Sequence, residues 1–388
     1  MTRPRPIHPN RCLPGVPPAL VAMVLLLTFG TDSLRAQRPY PPEMAGTTSE
    51  VYRTVGDVEL RMYFCNPEGH TADDRRPAIV FFFGGGWRAG SPQQFLPHCR
   101  YLAERGMVAA VADYRVASRH GVTADECVKD AKSAVRWLRS NADRLGIDPD
   151  RIAAGGGSAG GHLAAATATL PGHDPDPEGP SATPNALVLF NPATVLAPVD
   201  GDPLPTEEER ERFDALTRRF GAPPESMSPY HHLRENLPPT IMFHGTADET
   251  VPHSSADRFC LGLRKHKNRC DFVSYHDQGH GFFNFGRGEG EEKNKWYEDT
   301  VSRMDGFLYS LEWLGPKPNP DGTPGERLTW RESLSRALGN QRLPAAVNEI
   351  KEQLEAEARA AAASEDTTGG EEDDAPPESG QADPDGAR

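Results

Sequence analysis

The stretch of sequence that decides the fold lies at residues 151–163 and reads Arg151-Ile152-Ala153-Ala154-Gly155-Gly156-Gly157-Ser158-Ala159-Gly160-Gly161-His162-Leu163. An apolar run leads into glycines that surround one serine, and alanine-rich residues follow as far as Leu170. This order predicts a buried strand, a sharp turn and the start of a helix. Glycines suit such a turn because side chains would collide where the strand and the helix pack closely.

The turn also carries a chemical pattern. Gly156-x-Ser158-x-Gly160 fits the nucleophile elbow, in which a strained turn lifts a serine hydroxyl clear of the sheet. The first N–H groups of the following helix would point toward any anion that forms beside the serine. By itself the pattern is a weak signal, because small residues cluster in many ordinary turns. A turn without chemistry therefore stays open as the alternative.

Strands and helices alternate on both sides of this turn. The segment Ser49–Cys65 alternates apolar and polar residues around Gly56-Asp57, which predicts two antiparallel edge strands. Buried strands are predicted at Pro77–Phe83, Val108–Asp113, Ala186–Phe190, Thr240–His244 and Asp271–Tyr275. Helices are predicted at Gln93–Glu104, Thr123–Leu145, Glu207–Arg219, Ser254–Lys265 and Lys295–Leu314. The fold class is therefore α/β, with a mostly parallel central sheet whose site lies beyond the carboxyl ends of the strands.

Two loops at that edge carry the groups that a serine nucleophile needs. A serine hydroxyl attacks an ester only when an imidazole, itself oriented by a carboxylate, takes its proton. Asp248 follows one buried strand and His280 follows the next, so the candidate triad occurs in the order Ser158, Asp248, His280. Asp248 could instead serve only as a turn or helix-capping residue. Glu249 is the competing acid, one position further from the strand.

The other histidines near this edge are expected to have supporting roles. His276 is expected on the last strand, and His162 projects from the helix after the elbow. Both are interpreted as core or supporting residues. His280 lies between glycines in a loop, and that position gives it the freedom to reach Ser158.

Attack on an ester forms an oxyanion, which needs preorganised hydrogen-bond donors. The N–H of Ala159, directly after the serine, is one candidate. Gly85 and Gly86 follow a buried strand and can offer further backbone N–H groups, because no side chain projects from them. A plain flexible turn is the alternative interpretation of Gly84–Gly86.

Together these motifs resemble the α/β-hydrolase superfamily, and within it the branch of hormone-sensitive-lipase-like and acetyl or feruloyl esterases. The resemblance rests on Phe83–Trp87, Asp113–Arg115, Gly155–Gly161 and the Asp248 and His280 loops, and it covers roughly residues 51–314. It implies Ser158 as nucleophile, Asp248 as acid, His280 as base, and Gly85, Gly86 and Ala159 as oxyanion donors. One departure is Phe83, where the family usually has histidine. A differently braced glycine loop and an altered substrate range would follow.

Three functions are compatible with these residues. The first is a secreted serine carboxylic-ester hydrolase that acts on short acyl esters, with acetyl or feruloyl groups on polysaccharide suggested by analogy alone. The second is a serine peptidase of the prolyl-oligopeptidase type, which usually carries a β-propeller before the catalytic domain. The third is a non-catalytic binding protein on the same fold. No metal or cofactor is expected for the first function.

The two ends of the chain have compositions of their own. Arg3, Arg5 and Arg11 precede an apolar run at Val16–Phe29, which predicts a signal peptide over residues 1–36 and export. The apolar run is short for a membrane span, so stable insertion is not expected and an uncleaved anchor is the alternative. We divide the rest into a Pro-rich leader (37–48), a catalytic domain (49–315), a linker with an isolated helix (316–363) and an acidic tail (364–388), expected to be disordered.

Charge and cysteine content exclude other classes of site. The net charge is −14 and no basic stripe is present, which argues against nucleic-acid binding. No close Cys-x-x-Cys pair occurs, so a structural zinc site is not expected. Disulfides are permitted in an exported protein, and Cys260 and Cys270 are the best candidate pair. Two reduced, buried thiols are the alternative.

Overall fold

An eight-stranded sheet forms the centre of the described part of the chain, residues 40–199, 201 and 206–317, in a computed structural model. The strands are β1 (Thr48–Val55), β2 (Val58–Cys65), β3 (Arg76–Phe82), β4 (Val108–Ala112), β5 (Ile147–Gly157), β6 (Ala186–Phe190), β7 (Thr240–Gly245) and β8 (Cys270–Tyr275). Their order across the sheet is β1-β2-β4-β3-β5-β6-β7-β8. The β1–β2 and β2–β4 pairs are antiparallel and the others are parallel. The predicted fold class is thereby confirmed.

Seven α-helices accompany these strands in the described residues. They are α1 (Leu96–Glu104), α2 (Ala117–His120), α3 (Ala124–Ser140), α4 (Ala159–Thr169), α5 (Glu207–Phe220), α6 (His253–Lys265) and α7 (Lys295–Ser310). Helix α3 ends earlier than its apolar pattern predicts, at Ser140 instead of Leu145. The Asn141 side chain donates to the Trp137 carbonyl at 2.8 Å and so competes with continuation of the helix.

The sheet is covered on both faces, which explains why its central strands are apolar throughout. One buried cluster joins the sheet to α3, α4 and α6, through residues such as Val135, Leu163 and Phe259. The other joins it to α1 and α7, through Leu102 and Met304 among others. Since the two faces are occupied, the carboxyl ends of the parallel strands are left as the place for a site.

Several predicted segments lie outside the described residues. These are the signal peptide (1–36), the linker and helix beyond residue 317, and the acidic tail (364–388). The described end of the leader is bonded to the domain: the Tyr40 hydroxyl donates to Asp113, and Arg119 lies 3.8 Å over the Tyr40 ring. Among the described helices, none combines the length and the apolar character that a membrane crossing requires.

The five described cysteines are all buried. The sulfurs of Cys260 on α6 and Cys270 on β8 are joined, with 5.6 Å between the Cα atoms. Cys65, Cys99 and Cys127 are free thiols. The bond connects α6 to the edge strand that precedes the His280 loop.

A fully buried histidine, His98 on α1, lies in the second core cluster among aromatic rings, including those of Phe95, Phe190 and Tyr297. Neither ring nitrogen has a hydrogen-bond partner in the described part of the chain. Burial lowers the pKa of His98 to about 3, so the ring is neutral in the folded protein. In the unfolded chain the histidine is protonated below about pH 6.5, whereas in the folded chain it stays neutral down to about pH 3. The free energy of unfolding therefore decreases as the pH falls from about 6.5 to about 3.

We expect His98→Phe to raise the free energy of unfolding by about 1 kcal/mol at neutral pH, because two unpaired buried polar atoms are removed. Its advantage over wild type should grow on acidification, since phenylalanine binds no proton. Urea unfolding of both proteins at about pH 7.5 and about pH 4.5 measures this. His276→Gln is the matched control, because the His276 side chain is 87% exposed. An advantage that shrinks at the lower pH would contradict the assignment.

Candidate active site

Ser158 lies at the sharp turn between β5 and α4. Its backbone angles, φ 56° and ψ −119°, are rare for a residue with a side chain. The turn is forced by close packing, because a Cβ at Gly160 would lie 2.0 Å from the Phe82 carbonyl oxygen. The Ser158 N–H donates to the Phe190 carbonyl at 2.9 Å, which ties the turn to β6. The half-buried serine is therefore held at the carboxyl edge of the sheet, as a nucleophile elbow requires.

Asp248 and His280 meet at the same edge of the sheet. Asp248 follows β7 and His280 follows β8, and the His280 Nδ1 lies 2.7 Å from Asp248 Oδ2. The Asp248 side chain is fully buried, whereas that of His280 is 25% exposed. The carboxylate can only accept, so Nδ1 carries the proton and Nε2 is left as the basic nitrogen. Glu249, the competing acid, is exposed.

The Asp248 carboxylate accepts hydrogen bonds on both oxygens. Oδ1 accepts from the N–H groups of Thr250 and Val251, each at 2.9 Å, so the expected turn role is present as well. Oδ2 accepts from Asn191 Nδ2 at 2.6 Å and lies 3.2 Å from His244 Nε2. Burial raises the pKa of Asp248, but the hydrogen bonds of His244 and His280 outweigh burial and place the pKa well below its usual range. The group is therefore a carboxylate at neutral pH.

Sequence reasoning missed Asn191 and His244 as parts of this site. Asn191 directly follows β6 with φ 43°, and His244 is buried within β7. The sequence did offer a signal for both residues, because each is a polar residue at or directly after the end of a buried strand, at the same edge of the sheet as Asp248. The expectation for His276 was wrong: β8 ends at Tyr275, and His276 is exposed and paired with Asp277 at 2.9 Å. The expectation for His162 was right, since it is fully buried.

The glycine loop after β3 lies against the elbow. A Cβ at Gly84 would come within 3.4 Å of Ser158 Cβ, so the two segments are in contact. Gly85 has φ 126° and Gly86 has φ 62°, conformations that favour glycine. Within the described residues, no acceptor is bonded to the N–H groups of Gly85, Gly86 or Ala159. These free donors suit an oxyanion.

Two further residues anchor this loop to the rest of the site. The Gly84 N–H donates to Gln94 Oε1 at 2.6 Å. The Gln94 amide in turn donates to Asn284 Oδ1 at 2.8 Å, on the loop that carries His280. Gln94 was not singled out from the sequence, because a glutamine at the start of a helix has no distinctive spacing.

Aromatic rings brace the loop at the position where the family has histidine. The Phe83 ring stacks on Tyr114 with 4.1 Å between centroids, and the Tyr114 hydroxyl donates to the Phe83 carbonyl at 2.7 Å. Trp87 donates its indole N–H to His162 Nδ1 at 3.2 Å, while His162 Nε2 lies 2.7 Å from the Met227 carbonyl. Burial lowers the pKa of His162 to about 4, so it bridges the two as a neutral ring. The loop is thus braced without the family histidine.

Two cavities meet at Ser158. The first, about 520 Å³, is lined mostly by apolar side chains, with Trp87, Leu196, Leu216 and Val251 among them. The second, about 560 Å³, is lined by the glycine loop and by His280. Helix α5 contributes to the wall of the first cavity. Both cavities touch Gly86, Ser158 and Thr250, so an ester bound at the serine can extend in two directions. No cluster of three or more metal-binding side chains occurs in the described segments.

Several known proteins are similar to this chain in sequence and in structure. Esterase LipC of Mycobacterium tuberculosis is 32% identical over 221 residues, which are 53% of this chain and 53% of LipC. The chain spans about half the length of the M. tuberculosis esterases it matches. The butyrate-bound esterase 2 of Thermogutta terrifontis is 48% identical, with a TM-score of 0.66 over 72% of this chain and 99% of that one. The same enzyme phosphorylated by paraoxon is 47% identical, with a TM-score of 0.64, 72% and 99% coverage.

The family assignment rests on the sequence match and on the architecture together. The BD-FAE family matches residues 65–262, which include the glycine loop, the elbow and the Asp248 loop. The structural relatives extend the match to 72% of the chain. The eight-stranded sheet and the elbow turn are those of the α/β-hydrolase esterases. The chain therefore belongs to the BD-FAE family and has the α/β-hydrolase fold.

Proposed function

We propose that the protein is a serine carboxylic-ester hydrolase that acts on short acyl esters through an acyl-enzyme. The observation that carries the proposal is the 2.7 Å contact between His280 and a buried Asp248 carboxylate, next to the cavity that Ser158 and His280 share. The esterases similar to this chain support the same class of reaction.

The reaction would follow from the placement of these groups. The Ser158 Oγ attacks the ester carbonyl carbon while His280 Nε2 takes the hydroxyl proton. The carbonyl oxygen becomes an oxyanion, to which the N–H groups of Gly85, Gly86 and Ala159 donate. Collapse breaks the bond to the alcohol, which leaves with the proton from His280. Water then attacks the acyl-serine while His280 takes one of its protons. Collapse breaks the bond to Ser158 Oγ, His280 returns the proton to that oxygen, and the carboxylic acid leaves.

The solved structures of the similar Thermogutta esterase support short acyl groups as the substrates. The Thermogutta enzyme has been seen with butyrate and with propionate bound. Its phosphorylation by paraoxon fits a nucleophile of the kind assigned here to Ser158. The resemblance to acetyl and feruloyl esterases suggests such groups on a polysaccharide as the natural substrate, and this part of the proposal is an analogy.

We also propose that the protein is exported. Three arginines, an apolar run and Ala36 at the expected cleavage point support a signal peptide. The bond between Cys260 and Cys270 is of a kind that persists in oxidising compartments.

Replacement of the serine tests the central proposal. We expect Ser158→Ala to lower kcat on p-nitrophenyl acetate by about 10⁶-fold, because the remaining groups cannot form an acyl-enzyme. Wild type should hydrolyse the acetate and butyrate esters faster than the octanoate. Labelling by a fluorophosphonate should occur at Ser158 in wild type alone. Equal rates in the two proteins and no labelling of either would show that Ser158 has no catalytic role, as in the non-catalytic alternative.

Replacement of the acid tests the role of the buried carboxylate. Asp248→Asn should lower kcat by about 10⁴-fold, since an amide cannot hold the His280 ring with its proton on Nδ1 or stabilise the imidazolium. Asp277→Asn is the matched control in the His280 loop, where the carboxylate is exposed. A decrease of similar size in both variants would show general damage to the loop, and no decrease in Asp248→Asn would refute the triad.

Export is tested by mass spectrometry of the secreted protein. We expect the mature chain to begin at Gln37 and the thiols of Cys260 and Cys270 to resist alkylation until a reductant is added. Cys65, Cys99 and Cys127 in the same unfolded sample provide the alkylated reference, because they are free thiols. An intact N-terminus would support an uncleaved anchor, and labelled Cys260 and Cys270 would exclude the disulfide.

A further inference from the structure

One arginine of α5 lies beside the glycine loop. A Cβ at Gly86 would be 3.8 Å from Nη1 of Arg219. Arg219 also lines the first cavity, together with Ser158 and Ala159. Arg219 therefore lies at the wall of the space that an ester bound at Ser158 would enter.

The Arg219 guanidinium is unpaired among the described residues. It is half-buried, and no hydrogen bond or ion pair joins it to any of them. Burial lowers the pKa of Arg219, and the neighbouring charge of Arg88 lowers it further. A partly desolvated cation without a carboxylate is unfavourable unless an anion binds there. By contrast, Arg210 on the same helix is paired with Glu207 at 3.2 Å.

The walls around the serine carry further positive charge. Arg287 lines the second cavity. The described residues that line the two cavities include no aspartate or glutamate. This is unlike the chain as a whole, which has 56 acidic residues against 42 lysines and arginines. A locally positive cleft on an acidic protein attracts anions to the site in preference to the surface around it.

We propose that Arg219 is a specificity-determining residue that binds a carboxylate of the substrate, so that the preferred substrates are esters with a carboxylate near the scissile bond. This rests on the proposed function. A guanidinium binds a carboxylate through two parallel N–H groups, which orients the ester as well as attracting it. An ester on an acidic sugar or the half-ester of a dicarboxylic acid has this chemistry. The bond that breaks and the groups that break it are those of the proposed reaction.

Two matched pairs of esters test this preference and locate the carboxylate. Monomethyl succinate and methyl butyrate differ in the charge of the acyl half, and their hydrolysis is followed by titration at constant pH. The pair 4-acetoxybenzoate and 4-acetoxybenzamide differs in the charge of the alcohol half. In at least one pair, Arg219→Gln should lower kcat/KM for the anionic ester by about 10- to 100-fold and leave the neutral ester within about threefold. The pair that responds identifies the half of the ester that faces Arg219.

Two control variants separate a specific contact from a general loss of charge. Arg219→Lys should retain part of the preference, since it keeps the charge but loses the two-pronged geometry. Arg218→Gln removes the charge of the neighbouring exposed residue, which lines neither cavity, and should leave both ratios unchanged. Raising the salt concentration from about 0.05 M to about 0.5 M should reduce the wild-type preference for the anionic ester.

These experiments separate a failure of the Arg219 assignment from a failure of the proposed esterase function. If neutral esters are hydrolysed in a Ser158-dependent way but neither ratio changes in Arg219→Gln, the specificity assignment is overturned and the esterase stands. Equal changes in Arg219→Gln and Arg218→Gln would also overturn it. If no ester is hydrolysed in a Ser158-dependent way, the proposed function fails and this inference fails with it.

Discussion

The contact between Gly160 and the end of β3 is the constraint on which the site depends. The absence of a Cβ lets the first turn of α4 lie against the Phe82 carbonyl, within a distance that no side chain would allow. That approach brings the free N–H groups of the glycine loop to the side of Ser158. It also forces the serine into a positive φ angle, and the strain is sustained by the parallel pairing of β5 with β3 and β6. Packing of the backbone, more than any side-chain contact, creates the geometry.

A second constraint is the Asp248 carboxylate, which accepts hydrogen bonds from groups that follow three different strands. Asp248 accepts from Asn191 just after β6, from His280 beyond β8 and from the Thr250 N–H in its own loop after β7. A buried charge is tolerated only when its oxygens are well supplied with donors. The same donors that stabilise the charge also fix the angle of the His280 ring. Structural support and orientation of the base are therefore one set of hydrogen bonds.

Much of this could be predicted from the sequence because the strands are short, apolar and regularly spaced. The order of Ser158, Asp248 and His280 along the chain, each at the end of a buried strand, was sufficient to place them at one edge. Asn191 and Gln94 were not found, because their roles depend on which strands and loops become neighbours in space. His276 was wrongly expected on the last strand: β8 ends at Tyr275, and the chain turns at Asp277, which has φ 57°. Local patterns predicted the elements, whereas hydrogen bonds across elements required the structure.

The bridge from Trp87 through His162 to the Met227 carbonyl has a consequence for how such a protein diversifies. The segment before Met227 supplies α5 and a wall of the first cavity, and the Phe220 ring at the end of α5 also packs against Trp87 and His162. A backbone oxygen is the same for every residue type, so the exposed side chains of α5 can be exchanged while the Met227 carbonyl and the Phe220 ring persist. Part of the wall of the first cavity and the candidate triad thereby lie on different stretches of the chain.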